Sequence, residues 1–429
     1  ALEILQPDAE HIKELGMIDK ILSEPEDGAH NKYDFTINII KKSLVETLNS
    51  WVHINKKTEK KDIIDRTIRK LVKKRREKVL KYGKFEGPFK SLLKTMFANE
   101  KKKYLENIKT FDIDEGDFYT AELRKEYLKK LGISETKIVV CEKEWDEKEN
   151  KYRVAGGCGP IPLIEYAENF YACPKCGKGE YLGVAENILR ICDKDSFQET
   201  ESQLTLEDLT NKDRYKRIEG YEKRLKTIEE KTFSREALVT GTGKINGKNV
   251  VFAISDIDFI GGSFGAVYGE KFKRSVNIAV RENFPLISVC SSGGARMYEG
   301  PMSLAQMAKM NMALLDLKNK GIPFISVISE PTTGGAYASY VTQGDIIIGE
   351  RGSLIEFAGP RVVLGAGFEV DKEIVCTDVL YKNKKIHHLI NRNELKNILS
   401  YYIEFFYNIK YPKKRKDSGR VYITDSIFN

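Results

Sequence analysis

The stretch SSGGARMYEG, Ser291 to Gly300, lies between an apolar run, Leu286 to Cys290, and a helix-like segment, Pro301 to Leu317. A Gly-Gly pair between a strand and a helix lets bare backbone approach a ligand. The first N–H groups of a helix have no partner inside it and point outward at the positive end of its dipole. Such a place suits an oxygen that gains negative charge during a reaction. The pattern returns further on, where PFISVIS, Pro323 to Ser329, leads into EPTTGGAYASY, Glu330 to Tyr340. Gly293 and Gly294 with Ala295, and Gly334 with Gly335, are therefore the candidate oxyanion donors. The plainer use of such glycines is a tight strand-to-helix turn; two copies in matching contexts favour the site.

Around these turns, strands and helices alternate. Ala237 to Ile245 and Asn249 to Ile254 are β-rich runs flanking Asn246-Gly247, a hairpin signal. Glu270 to Asn283 spaces Phe272, Val276 and Val280 as a helix does, and LISVC, Ser303 to Leu317, FISVIS and Asp345 to Ile348 follow. Short, fully apolar strands between amphipathic helices predict an α/β fold with a buried, largely parallel sheet. The pattern alone does not separate a superhelix of ββα units from a flat doubly wound sheet. Ile386 to Tyr407 reads as a last helix and Lys410 to Asn429 as a polar, basic tail.

With 429 residues the chain has room for two domains. Its net charge of +8 is unevenly placed, since residues 51 to 110 hold twenty Lys or Arg against seven Asp or Glu. Asp62 to Leu80 puts Ile64, Ile68, Leu71 and Val72 on one stripe, which reads as a basic surface helix against the protein's own body or a partner. Nucleic-acid binding is disfavoured, because Trp51 is the only aromatic for stacking among residues 51 to 80. Glu115 to Lys151 shows no clear period and reads as irregular. No run of about eighteen apolar residues predicts a membrane span. The chain begins at Ala1 with no secretory pattern, as a processed or trimmed chain would.

Seven cysteines in so long a chain do not form a disulfide scaffold and favour a reducing compartment. Cys173 and Cys176 form a C-x2-C knuckle, with Cys192 downstream and Asp195 where a ribbon's fourth thiolate would stand. One structural zinc is expected on Cys173, Cys176, Cys192 and Asp195. Cys158 in GGCGP is an alternative fourth ligand, and a ribbon that folds without metal is the bland reading.

The motifs GGSFGAVYGEKF (Gly261 to Phe272), SSGGARMYEGPMSLAQMAKM (Ser291 to Met310), PTTGGAYAS (Pro331 to Ser339) and GDIIIGERGSLIEFAGPRVV (Gly344 to Val363) resemble the carboxyltransferase β subunit of multi-subunit acetyl-CoA carboxylase. The similarity runs from Tyr171 to Leu399. The resemblance implies a crotonase-like ββα superhelix over 201–409, a zinc-ribbon-like unit over 166–200, a basic, partly helical extension over 1–165 and a tail over 410–429. It implies transfer of a carboxyl group from carboxybiotin, on biotin carboxyl carrier protein, to acetyl-CoA, giving malonyl-CoA for fatty acid synthesis. It also implies partners: a carboxyltransferase α subunit, two of each in the assembly, the carrier protein and biotin carboxylase. Gly261, Gly262 and Ser263 would line the CoA channel. The family carries four cysteines in its ribbon, so Asp195 is a departure, and the segment between Val363 and Glu373 is either shorter than the family's or lacks residues that the family carries there. The long extension resembles plastid versions, which places the chain in the stroma; the alternative is the bacterial cytoplasm.

Arg296 and Arg361 are candidate contacts for CoA phosphate, with a structural salt bridge as the competing use. The five histidines lie outside Gly241 to Val363, so a histidine general base is not expected. Carboxyl transfer tolerates this, because the ureido anion left by carboxybiotin can take the methyl proton. GGSFG also fits the nucleophile elbow of serine hydrolases, with Ser263, Asp345 and His387 in the required chain order, but no tidy apolar strand directly precedes it. GTGKING, Gly241 to Gly247, is explained by its hairpin, and Cys290 reads as a small core residue. Met302, Met307, Met310 and Met312 crowd one helix, which is expected to lack cover without a partner.

Overall fold

Asp8 accepts the His11 N–H at 2.7 Å and so starts the first helix, α1 (Ala9–Glu14). A longer helix, α2 (Tyr33–Val52), and α3 (residues 72–80) follow. The computed structural model describes residues 8–25, 29, 32–52, 72–80, 138–141, 144–146, 151–153, 158–175, 177, 179–208, 220–232, 234–357 and 376–410. Of the expected helix Asp62 to Leu80, the part before residue 72 lies outside them, as do the tail and the segment from Val363 to Glu373. The segment after α1 and the end of α3 rest on the body of the chain. Leu15 and Met17 pack on Ala266, Met302 and Ala305, Val79 is buried and Leu80 reaches the main core. Ion pairs, Arg76 with Asp316 and Lys78 with Asp19 at 2.5 Å, edge this contact. Each contributes at most about 1 kcal/mol at the surface, less than one buried aliphatic side chain, so the apolar contacts hold the segment.

Where Glu115 to Lys151 was expected to be irregular, short strands form: β1 (Ile138–Cys141), β2 (Glu144–Asp146) and β3 (Lys151–Arg153). β1 pairs antiparallel with β4 (Gly159–Pro162), Cys141 opposite Gly159, and β2 pairs with β3. Two short helices follow, α4 (Leu163–Glu168) and α5 (Val184–Ile191).

The main sheet begins at its antiparallel side. β5 (Gln198–Thr200) precedes α6 (Tyr221–Thr232), β6 (Leu238–Ile245) and β7 (Lys248–Ser255). β6 and β7 form the expected hairpin, with Asn246 and Gly247 both at positive φ (48° and 73°), the left-handed pair that a two-residue turn requires. After α7 (Ala266–Glu282), β8 (Leu286–Ser292), α8 (Pro301–Lys320), β9 (Phe324–Thr333) and the short α9 (Gly334–Tyr337), β10 (Ile346–Glu350) continues the sheet. β11 (Ile355–Glu356), α10 (Thr377–Lys382), β12 (His388–Ile390) and α11 (Leu395–Lys410) complete it. The order is β12-β10-β9-β8-β7-β6-β5, with β11 beside the far end of β9. All pairs from β7 to β12 are parallel. The start of the last helix pattern, Ile386 to Ile390, is thus partly strand.

Every residue of β8 is buried, as strands apolar without alternation require. On one face Phe272, Met310, Leu314 and Leu317 of α7 and α8 cover the sheet; on the other, Ile191, Leu395, Leu399 and Ile403 do. The ends of α8 follow from sequence: Pro301 occupies the first turn, where its missing N–H costs nothing, and Gly321 closes it at φ 64°. Contrary to expectation, Met302 and Met310 of α8 are buried within the chain, leaving Leu304 and Leu315 as its exposed apolar residues. A buried carboxylate, Glu350, ties the N-terminal strands and helices to the sheet. It takes Arg190 of α5 at 2.5 Å, Arg392 at 3.0 Å and the Ser329 hydroxyl at 2.8 Å, while Arg392 also donates to the Phe170 carbonyl.

Candidate functional site

β8 and β9 are parallel neighbours, so the turns that leave them emerge at the same edge of the sheet, with Ser292 beside Thr332. Gly294 (φ 99°) and Gly334 (φ 60°) are both in the region that disfavours a side chain. A Cβ on Gly294 would stand 3.0 Å from the Gly335 nitrogen, and one on Gly334 3.2 Å from the Gly293 oxygen. The two Gly-Gly turns therefore lie backbone against backbone. A third segment, Gly261 to Phe264, closes on them. Gly293 donates to the Gly261 carbonyl at 2.8 Å, Phe264 to the Gly294 carbonyl at 2.9 Å, and a Cβ on Gly262 would strike the Ser291 carbonyl.

This packing divides the expected donors. The Gly293 N–H goes to Gly261, and that of Gly294 to the Ser292 hydroxyl at 3.1 Å. Those of Ala295, Gly334 and Gly335 have no acceptor among the described residues. Behind Gly335 stand the Met307 sulfur and the Phe264 ring, each 2.8 Å from where a Cβ would be. The place between the turns thus offers main-chain donors, an apolar wall and no room for side chains.

Arg296, expected to reach CoA phosphate, instead turns inward and is 1% exposed. Its guanidinium donates to Glu236 (3.1 Å), Glu299 (3.2 Å), the Tyr221 hydroxyl (3.3 Å) and the Ser263 carbonyl (2.6 Å). Burial opposes the charge, yet the carboxylates of Glu236 and Glu299 hold the Arg296 pKa above its ordinary value. Burial raises that of Glu299 despite Arg296. Glu299 also accepts the Ala266 N–H at 2.6 Å, at the start of α7. The network locks the turn after Gly294 to the loop carrying Ser263. A salt bridge is thus the use Arg296 has here. Beside it, Tyr298 stacks on Tyr221 (5.0 Å) under Arg224, lining an open groove that sequence reading missed because its parts are far apart in the chain. Arg361 lies outside the described residues.

The hydrolase triad does not assemble. The Ser263 hydroxyl donates to the Ile260 carbonyl at 2.7 Å. Asp345 accepts the Phe324 N–H at 2.9 Å, and His387 Nδ1 that of Ile347 at 2.9 Å. Asp345 and Phe324 stand where β10 and β9 begin, whereas the Gly-Gly turns are where β8 and β9 end. Cys290 is a core residue, its thiol pKa raised by burial, and it accepts from the Tyr340 hydroxyl at 3.1 Å.

The cysteines regroup. Cys141, at the end of β1, Cys158, just before β4, and Cys173 bring their sulfurs within 4.8 Å of one another. Tetrahedral zinc with bonds near 2.3 Å spaces its sulfurs by roughly 3.8 Å, so the three thiols suit it. At the knuckle, Gly177 (φ 79°) donates to the Cys173 carbonyl at 2.8 Å. Cys176 lies outside the described residues. Cys192 is not part of the cluster. It closes α5 against Ile191 and Phe252, and burial pushes its thiol pKa up to about 12. Asp195, three residues beyond Cys192 and at φ 55°, is likewise not one of the grouped ligands. Of the expected ligands, Cys173 and the alternative Cys158 stand together with Cys141, whereas Cys192 and Asp195 do not group with them among the described residues.

Residues 178–401, which span both Gly-Gly turns, match the family model of the carboxyl transferase domain. The chain belongs to the carboxyl transferase domain family. A separate model, acetyl co-enzyme A carboxylase carboxyltransferase-like, matches residues 1–83. The stretch expected to be a basic extension thus opens with carboxyltransferase-like sequence. The acetyl-CoA carboxylase carboxyl transferase subunit β of Clostridioides difficile is 39% identical over 240 residues, 54% of this chain and 80% of that protein. Its counterpart in Clostridium novyi is 40% identical over 233 residues, 54% of this chain and 79% of that protein. A protein of Natranaerobius thermophilus named for subunits β/α is 38% identical over 283 residues, 64% of this chain. The carboxyl transferase chain spans 46% of the length of this relative. Among solved structures, transcarboxylase 12S aligns over 57% of this chain and 47% of its own at 24% identity and a TM-score of 0.45, too distant to argue from. These three relatives are bacterial, and none of them points to a plastid. No described helix is long and apolar enough to cross a membrane.

Proposed function

We propose that this chain is the β-type half of an acetyl-CoA carboxyltransferase, moving a carboxyl group from carboxybiotin to acetyl-CoA to give malonyl-CoA. The observation that carries it is the apposition of the two Gly-Gly turns, where the Ala295, Gly334 and Gly335 N–H groups have no acceptor among the described residues. The thioester oxygen of acetyl-CoA becomes negative when its methyl group loses a proton, and fixed N–H donors lower that barrier without titrating; one such donor is worth about 3 kcal/mol. Loss of CO2 leaves the biotin ureido anion, which takes the methyl proton; the enolate then attacks CO2. Position and donors are what the protein supplies. Gly261, Gly262 and Ser263, packed on the first turn, form one wall of the CoA channel.

The finer architecture goes with this function: a crotonase-like superhelix over 201–409 behind a ribbon-like unit within 166–200, with strands β1 and β4 added to it. Cys141, Cys158 and Cys173 hold one structural zinc, which ties β1 and β4 to the knuckle. A carboxyltransferase α subunit, in an assembly of two and two, biotin carboxyl carrier protein and biotin carboxylase are the partners, and the bacterial cytoplasm is the setting the named relatives favour. The test is malonyl-CoA formation from acetyl-CoA and carboxybiotin, with and without the α subunit. Transfer is expected only with it, and no transfer in either case defeats the proposal.

A further inference from the structure

Ser292 ends β8, is fully buried and bonds to all three segments that meet at the glycine turns. Its hydroxyl donates to the Gly262 carbonyl at 2.6 Å and accepts the Gly294 N–H at 3.1 Å. Its carbonyl accepts the Thr333 hydroxyl at 3.4 Å, one residue before Gly334. A serine hydroxyl has a single proton to give, and here the Gly262 carbonyl takes it. The oxygen is left as an acceptor, which is the role it plays toward Gly294.

Glycine leaves the peptides on either side of it free to rotate, so a donor beside Gly294 is only as well aimed as those peptides are fixed. The peptide after Gly294 is pinned by its carbonyl, which accepts the Phe264 N–H at 2.9 Å. In a trans peptide the C=O and N–H point in opposite directions, so the Ala295 N–H points away from Phe264. The peptide before Gly294 is pinned at its other end, where Ser292 holds the Gly294 N–H. Its carbonyl, that of Gly293, turns to the second turn, 3.2 Å from where a Gly334 Cβ would stand. The pin after Gly294 is main chain and any residue supplies it. The pin before Gly294 is a side chain.

We propose that Ser292 is a positioning residue for carboxyl transfer, its hydroxyl setting the turn so that the Ala295 N–H meets the thioester oxygen as charge develops. This rests on the reading of the turns as an oxyanion site, and it adds the group that aims them. The hydroxyl acts through Gly294 and does not touch the substrate. Donors aimed at charge that appears only in the transition state speed the chemical step more than they tighten substrate binding. Loss of the pin therefore falls on kcat, with KM for acetyl-CoA changed little.

The experiment uses the whole chain with a carboxyltransferase α subunit and has two readouts. One is turnover of acetyl-CoA to malonyl-CoA. The other is calorimetric binding of acetyl-CoA and of S-carboxymethyl-CoA, whose carboxylate mimics the charge of the enolate. Ser292→Ala is expected to lower kcat by about tenfold to a hundredfold, less than the loss of a whole donor, and to leave KM within about twofold. It should weaken S-carboxymethyl-CoA by a similar factor and leave acetyl-CoA unchanged. Ser275→Ala removes an equally buried hydroxyl, bonded to the Phe272 carbonyl on α7, and should keep wild-type values throughout. Ser292→Cys keeps a weaker donor in the same space, should fall between, and carries the test if the Ala variant does not fold. Wild-type kcat in a folded Ser292 variant overturns the positioning, even if its melting temperature is lower. Equal weakening of both ligands overturns it too, as does a wild type that does not prefer the carboxylate. If the wild-type complex transfers no carboxyl group, the proposed reaction fails and the contrast between the two ligands alone decides the positioning.

Discussion

At Gly294 the backbone has no space to give. The residue sits at φ 99°, and an added side chain would press on Gly334 and Gly335 across the gap. Gly294→Val is expected to cut malonyl-CoA formation by two to three orders of magnitude, roughly the effect of losing an oxyanion donor, with the melting curve shifted far less. Ser263→Ala should keep most activity, because its hydroxyl bonds only to structural partners, donating to the Ile260 carbonyl and accepting from Arg296 at 3.4 Å; a complete loss would revive the hydrolase reading. Arg296→Ala leaves Glu236 and Glu299 buried without their cation and should destabilise the fold by about 3–5 kcal/mol in chemical denaturation. A loss below about 1 kcal/mol would show that the network does not carry the turn. The glycines were legible because a strand, a Gly-Gly pair and a helix are local features. Arg296 was not, since Glu236, the carboxylate it faces, is sixty residues away in sequence.

Elements built from neighbouring residues were equally plain. The β6–β7 hairpin and the apolar strands β8, β9 and β10 stand where hydrophobic pattern and turn chemistry put them. The cysteine cluster was only partly legible: Cys173 and the alternative Cys158 were named, but Cys141 comes from the far end of the β1-to-β4 excursion and no C-x2-C signals it. Cys192 had the expected spacing but stands on a helix end that faces the sheet. Elemental analysis separates the two sets. Wild-type protein and Cys192→Ser should carry about one zinc per chain, whereas Cys141→Ser and Cys158→Ser should carry much less. Loss of zinc only in Cys192→Ser would restore the original ligand set, and equal zinc in all four would defeat both sets.

Across the whole molecule, one carboxylate couples the N-terminal unit to the sheet. Burial works against ionisation of Glu350, yet Arg190 and Arg392 hold its pKa below the ordinary glutamate value. A lowered folded-state pKa adds stability in full above the unfolded value of about 4.3, and that stability is lost as pH falls through the folded value. The melting temperature should therefore drop on acidification below about pH 4. Glu350→Gln should be less stable at pH 7 by about 3–5 kcal/mol, because both arginines stay buried, and its stability should fall less steeply in acid. Parallel acid profiles for the two proteins would refute this role. The two glycine turns have a different bearing on history. Their separation follows from the pitch of adjacent strands, roughly 4.8 Å, which every polypeptide sheet shares. Natural selection cannot tune such donors by exchanging side chains, because none are there, so adaptation to a different acyl chain has to be written in the walls, at residues such as Met307 and Phe264.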